Sequence, residues 1–136
     1  CASVSRPNVV AAGDVARWHN ELFDTDMRVE HWDNAVAQGR AAAQRLLRGP
    51  GAETFAPVPY FWSDQYDAKI HFAGRLGERC QVVEGSTAER RFTALFGTGD
   101  RLVGVLGIGR PGPVNRFRRL IAASTTWDEA LRQAAA

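Results

Sequence analysis

A segment rich in proline and glycine, residues 49–59, divides the chain into two parts that have different hydrophobic patterns. It contains three prolines and two glycines, a composition typical of a linker. Before it, small and apolar residues recur at helical spacing, and after it short apolar runs alternate with turn residues. We therefore expect an α+β chain with two domains, over residues 1–50 and 51–136.

The first domain is predicted to consist of a strand, a loop and a long helix. Arg6 to Ala12 predicts a short buried strand, and Arg17 to Met27, which shows no period, predicts an irregular loop. A helix is predicted over Val29 to Arg48, ended by Gly49-Pro50-Gly51. Its apolar face comprises Trp32, Ala35, Val36, Gly39, Ala42, Ala43, Leu46 and Leu47. Because only a dozen residues precede the end of the strand, we expect its neighbouring strands to lie outside this chain.

The second domain is predicted to contain antiparallel strands followed by two helices. The strands are Lys69 to Leu76, Arg79 to Glu84, Arg90 to Phe96 and Arg101 to Ile108, the last two joined by a hairpin turn at Gly97-Thr98-Gly99-Asp100. The helices are Pro113 to Ala123 and one that follows Thr126, an N-cap residue type with Glu129 three positions later.

Composition narrows the classes of function. The net charge is +2, and the 17 basic residues include a single lysine, which reflects either a GC-rich genome or a preference for bidentate anion contacts. The sequence has no apolar stretch of the roughly 20 residues that cross a membrane, and no signal-peptide pattern. We expect a cytoplasmic protein that does not bind membranes, and nucleic acid is not an expected partner because a dense basic stripe is lacking.

Cysteine and histidine give no metal-binding pattern. The two cysteines, Cys1 and Cys80, provide no disulfide framework, and together with His19, His31 and His71 they lack the spacing of zinc ligands. No metal site is therefore expected.

Gly13-Asp14 is the first candidate for ligand contact. Asp14 lies at the end of the predicted strand, a common position for ligand-binding residues in α/β sheets. The alternative is a turn aspartate that accepts hydrogen bonds from local amides.

Four segments, taken in order, resemble one family. They are Gly13-Asp14-Val15-Ala16-Arg17 with His19, Arg28-x-Glu30-x-Trp32, Asn34-Ala35-x-x-Gln38-Gly39, and Pro59-Tyr60-Phe61-Trp62-Ser63-Asp64-Gln65-Tyr66-Asp67. The chain resembles the C-terminal part of FAD-dependent ferredoxin reductases of oxygenase systems, of the putidaredoxin, rubredoxin and biphenyl-dioxygenase reductase type. The resemblance implies a remnant of the FAD domain followed by a reductase C-terminal domain.

The resemblance also implies roles for individual residues. Asp14, flanked by Gly13 and Val15, would accept hydrogen bonds from the flavin ribityl chain. The backbone around His31 and Trp32 would place the helix N-terminus at the pyrimidine edge of the flavin, where it favours negative charge. Trp62 would face the flavin and the nicotinamide site. The complete enzyme would pass electrons from NAD(P)H through FAD to an iron-sulfur ferredoxin or rubredoxin.

The family's glycine-rich pyrophosphate loop is not found in this sequence. Gly107 to Gly112 fits the pattern G-x-G-x-x-G, but too few residues follow for the second strand of a dinucleotide fold, and Pro111 lacks an amide proton. We therefore expect the isolated chain to be inactive and to hold no FAD. Two alternatives stay open: a stand-alone protein-interaction module, and one subunit of a split reductase.

Two surface features bear on partners. Arg110, Arg116, Arg118 and Arg119 form a basic cluster that either steers an acidic ferredoxin or is a solvated helix face. The apolar face of the long helix would be exposed without its sheet, which predicts a homodimer or association with the missing domains. Disorder of this segment is the alternative.

Overall fold

In a computed structural model, the chain divides into two units at the end of the proline-rich linker. The structure describes residues 1–135, and the units are Cys1–Pro59 and Tyr60–Ala136. The secondary structure is α+β, as predicted.

The start of the first unit differs from the prediction. Arg6 to Ala12 forms no strand, because the segment meets only one short neighbour: Val10 makes an isolated bridge with Ala2. A turn in which the Val9 amide donates to the Arg6 carbonyl at 2.8 Å folds this segment back on itself. The predicted strand is therefore wrong.

Residues 17–27 form a hairpin where an irregular loop was predicted. Its strands are β1 (Trp18–Asn20) and β2 (Thr25–Met27), paired antiparallel. Asn20 is fully buried and explains the correction: its Nδ2 donates to the Pro57 carbonyl at 2.9 Å, a contact 37 residues away. A partner so distant in sequence leaves no local period to detect.

The long helix α1 spans Trp32–Arg48 and ends at a 3₁₀ turn over Gly49–Gly51, as predicted. It starts later than predicted because Val29 stays outside it, buried, with its carbonyl accepting a 2.9 Å hydrogen bond from Asn34 Nδ2. The buried residues of α1 are Asn34, Gln38 and Ala42. Most of the predicted apolar face, including Trp32, Val36, Leu46 and Leu47, is exposed.

The second unit contains one five-stranded antiparallel sheet. The strands are β3 (Tyr60–Gln65), β4 (Ala68–Gly74), β5 (Arg79–Ser86), β6 (Arg91–Thr98) and β7 (Arg101–Ile108), in the order β3-β4-β7-β6-β5. The predicted strands and the hairpin between β6 and β7 are confirmed, and β3 is additional.

Two helices complete the second unit, α2 (Pro111–Ala122) and α3 (Trp127–Ala135). Glycines permit close packing on the sheet: a Cβ at Gly107 would lie 2.5 Å from Val114 Cγ2. A Cβ at Gly97 would lie 2.4 Å from Trp127 Cε3. The Glu129 amide donates to Thr126 Oγ1 at 3.4 Å, so Thr126 caps α3 as predicted. The core of this unit includes Ala73, Leu95, Val105, Val114, Phe117 and Ile121.

Candidate functional site

A tight turn carries Gly13 against the first turns of α1. Gly13 is buried, has a φ of +79°, and its amide donates to Gln38 Oε1 at 2.8 Å. A Cβ at this position would lie 3.5 Å from the Ala35 Cβ, so the turn and the helix are in van der Waals contact. A positive φ favours glycine here.

The turn presents Asp14 to solvent close to the N-terminus of α1. His31 is the N-cap residue, with extended backbone at φ −116° and ψ 143°. Burial lowers the pKa of His31, and the carboxylates of Asp14 and Asp33 oppose this by raising it. Asp14 therefore lies within electrostatic range of the helix end, where the backbone dipole favours negative charge.

The other predicted residues of this site lie beside these groups in the sequence. Val15 follows Asp14 and is exposed, and Trp32 follows His31 and is 71% exposed. The structure thus brings Gly13, Asp14, Val15, His31 and Trp32 to one end of α1. What this end offers a ligand is an exposed carboxylate, backbone amides and an indole ring.

Trp62 belongs to the second unit. It lies on the edge strand β3, directly opposite His71 on β4, and is 46% exposed. Its ring centroid is 6.0 Å from that of Tyr60. With nearly half of its surface exposed, Trp62 lies outside the buried core of the second unit.

The glycine-rich segment at the end of β7 packs against the start of α2. β7 pairs antiparallel with both β4 and β6, so Gly107 to Gly112 does not join the parallel strands of a dinucleotide-binding fold. Gly107 lies against Val114, with the Arg110 carbonyl oxygen 2.7 Å from where its Cβ would be. These contacts account for Gly107 without a ligand.

Comparison with known proteins supplies the family. The family model "Reductase C-terminal" matches residues 60–135, more than half of the chain. The chain belongs to this family.

Relatives agree with this membership. Putidaredoxin reductase of Pseudomonas putida is 36% identical over 120 residues, which are 86% of this chain and 28% of that protein. The ferredoxin–NAD(+) reductase component of an anthranilate 1,2-dioxygenase system from Burkholderia cepacia is 35% identical over 131 residues, 94% of this chain and 31% of that protein. The chain therefore spans less than a third of these two relatives.

Solved structures of reductases share the fold. A ferredoxin reductase from Rhodopseudomonas palustris has a TM-score of 0.78 at 34% identity, covering 97% of this chain and 34% of that one. The reductase in a covalent putidaredoxin reductase–putidaredoxin complex also has a TM-score of 0.78 at 34% identity. The match covers 88% of this chain and 28% of that one.

The structure changes the interpretation of the basic cluster in this reductase domain. Glu84 on β5 accepts hydrogen bonds from Arg110 at 2.7 Å and from Arg116 at 2.6 Å. Arg118 lies over the Tyr60 ring, 4.9 Å from its centroid. Arg119 is exposed. Two of the four arginines thus fasten the start of α2 to the sheet, which weakens the prediction of a steering surface.

Across residues 1–135, no group of three or more His, Cys, Asp or Glu side chains is placed to hold a metal ion. Over the same residues, no helix has both the length and the apolar character needed to span a bilayer.

Gln38 was not predicted as a site residue from the sequence. It lies among the motif residues, but its role depends on burial: the side chain is fully inaccessible and holds the Gly13 amide. The available signal was the polar stripe Asn34 and Gln38, one helical turn apart.

Proposed function

We propose that this chain is the C-terminal segment of a flavoprotein oxidoreductase that passes electrons from NAD(P)H through FAD to a ferredoxin or rubredoxin. In this proposal residues 1–50 are a remnant of the FAD domain, residues 51–136 are the reductase C-terminal domain, and the enzyme is cytoplasmic. The relatives named above as ferredoxin–NAD(+) reductase and as the partner of putidaredoxin support this assignment. The observation that carries it is the exposed Asp14 carboxylate beside the N-terminus of α1.

The residues at this end of α1 fit a flavin. Bound FAD would supply hydride acceptance from NAD(P)H and release of single electrons, chemistry that side chains do not supply. Asp14 would accept hydrogen bonds from ribityl hydroxyls, and the buried Gly13 and exposed Val15 form the turn that presents it. The backbone of His31 and Trp32 would hold the pyrimidine edge at the positive end of the α1 dipole, which favours negative charge there.

A chimera tests the role of Asp14. The corresponding C-terminal part of putidaredoxin reductase is replaced by this chain, and FAD affinity is measured by fluorescence titration. A carboxylate acceptor is about 1 to 2 kcal/mol better than a neutral one, so Asp14→Asn should weaken FAD binding about 5- to 30-fold. Asp24→Asn is the matched control, because Asp24 is an exposed turn aspartate of the same unit. Equal FAD affinities for the two variants would contradict the proposal.

The isolated chain is proposed to be inactive, because its residues provide only one end of a flavin site. The purified chain mixed with FAD and passed over a desalting column should emerge colourless. Flavin absorbance near one equivalent per chain would overturn this part. Colour that appears only when the separately expressed N-terminal part of a reductase is added would favour the split-reductase alternative.

Trp62 and Arg119 are proposed to act in the steps that involve the nicotinamide and the ferredoxin, respectively. Trp62→Ala in the chimera should change nicotinamide turnover while FAD stays bound, whereas Leu76→Ala, an exposed apolar control in the same unit, should not. Arg119, exposed on α2, is the proposed contact for an acidic ferredoxin. Arg119→Gln should slow ferredoxin association at low salt and leave nicotinamide oxidation unchanged. Unchanged nicotinamide turnover in Trp62→Ala would contradict the role proposed for Trp62. An unchanged rate of ferredoxin association in Arg119→Gln would contradict the role proposed for Arg119.

A further inference from the structure

Trp62 is held in an aromatic network that the proposed function does not explain. Tyr60 and Trp62 lie on one face of β3, since they are two residues apart along the strand. His71 lies on the same face, because it is paired with Trp62 across the β3–β4 ladder. Arg118 reaches this face from α2.

Tyr60 is restrained at two points. Its Oη is 2.6 Å from His71 Nδ1, and the two rings lie nearly end to end, with centroids 6.1 Å apart and planes 27° apart. The Arg118 guanidinium lies 4.9 Å from the centroid of the Tyr60 ring. A hydrogen bond in the ring plane and a cation at the ring face together fix both the position and the tilt of this phenol.

Trp62 lies next to this restrained ring. β3 is an edge strand, so Trp62 has a neighbouring strand on one side only. Its indole is half exposed, and its centroid is 6.0 Å from the Tyr60 ring at an interplanar angle of 31°. A half-exposed indole has room for more than one staggered rotamer, and a fixed ring beside it favours the rotamer that packs against that ring.

We propose that Tyr60 and His71 are positioning residues that select one orientation of the Trp62 indole, with Arg118 fixing the Tyr60 ring from α2. The purpose of that orientation rests on the proposed function, in which Trp62 faces the flavin and nicotinamide. The restraint itself does not depend on it and can be measured on the isolated chain.

The first test is spectroscopic. The Trp62 signal is obtained as the difference between each variant and its Trp62→Phe counterpart, and the amplitudes of its fluorescence lifetimes report rotamer populations. Loss of the Tyr60–His71 hydrogen bond should shift the ratio of these populations about two- to tenfold. Tyr60→Phe, which removes only the hydroxyl, and His71→Leu should both produce this shift.

Two controls separate positioning from loss of structure. Tyr66→Phe makes the same chemical change at a fully exposed tyrosine and should leave the Trp62 lifetimes unchanged. His71→Asn places Oδ1 where Nδ1 lies and should restore the wild-type amplitudes. Far-ultraviolet circular dichroism should be identical in every variant. Wild-type Trp62 amplitudes in Tyr60→Phe would overturn the proposal.

The second test uses the chimera. Tyr60→Phe should lower kcat for NAD(P)H oxidation with FAD retained and KM little changed, because the indole is present but wrongly oriented. A lifetime shift without a change in kcat would contradict the role proposed for Trp62 in catalysis and leave the positioning network intact. A chimera that does not bind FAD would contradict the proposed function alone.

Discussion

Replacing Glu84 with alanine should destabilise the second unit by more than any exposed ion pair contributes. Glu84 accepts hydrogen bonds from Arg110 at 2.7 Å and Arg116 at 2.6 Å, and these hold the first turns of α2 on β5. The Glu84 side chain is 17% exposed, against 31% for Arg110 and 41% for Arg116. The Glu84→Ala variant leaves two partly buried guanidinium groups without their common carboxylate.

The magnitude follows from this intermediate burial. A hydrogen bond to a charged group contributes about 1.5–3 kcal/mol when buried, and an exposed ion pair about 0–1 kcal/mol. Each Glu84 bond lies between these limits, at about 1 to 1.5 kcal/mol, so the loss of both costs about 2–3 kcal/mol. In a unit of this size that corresponds to a fall in Tm of roughly 10–20 °C.

Urea denaturation monitored by circular dichroism measures this loss. Glu129→Ala is the matched control, because Glu129 pairs with the exposed Arg132 three residues away and its loss should cost much less stability. Adding Arg110→Ala to Glu84→Ala should cost less than the sum of the single changes, because both remove the same bond. Equal stabilities for Glu84→Ala and Glu129→Ala, or strict additivity in the cycle, would refute the reasoning.

Three other predictions concern the site, the packing and the association of the chain. The pKa of His31 lies below its ordinary value, so the unfolded chain takes up a proton first and stability should fall as pH drops through about 6.5. Because the Asp14 carboxylate raises this pKa, Asp14→Asn should lower it further in an NMR titration. An unchanged His31 pKa in that variant would place Asp14 away from the helix end. Gly97→Ala should destabilise by about 1–3 kcal/mol, since its Cβ would lie 2.4 Å from an indole carbon, whereas Gly112→Ala meets nothing within 4 Å and should be neutral in the same melt. The chain should self-associate at micromolar concentration in sedimentation, and Leu47→Gln, at an 86% exposed position of α1, should shift it toward monomer; a wild-type monomer contradicts this.

The second unit was predictable because its signals are local. The apolar run of β7 and the Gly-Asp turn before it indicate a hairpin without reference to the rest of the chain, and β7 has the predicted bounds. β3 was not predicted as a strand, since Ser63, Asp64 and Gln65 are polar. On an edge strand such residues are allowed, because one side of the strand is open to water.

The first unit was harder to predict because distant contacts decide it. The hairpin of β1 and β2 is fastened by Asn20 to the Pro57 carbonyl, and by the Trp18 indole nitrogen to the Phe55 carbonyl at 3.2 Å. Neither contact leaves a periodic pattern in the sequence. The apolar run at Val9 and Val10 predicted a strand because its residues are typical of strands. In the structure Val10 makes only an isolated bridge with Ala2, so no strand forms there.

Helix α1 buries polar side chains on one face and exposes apolar side chains on another. Asn34 and Gln38 are buried because each hydrogen-bonds a backbone group of a neighbouring loop, Val29 O and the Gly13 amide. That polar stripe fixes the turn carrying Asp14, and the apolar stripe containing Leu46 and Leu47 stays exposed. Because the two stripes lie on different faces, self-association through the apolar stripe and a flavin contact at the N-terminus of α1 are compatible.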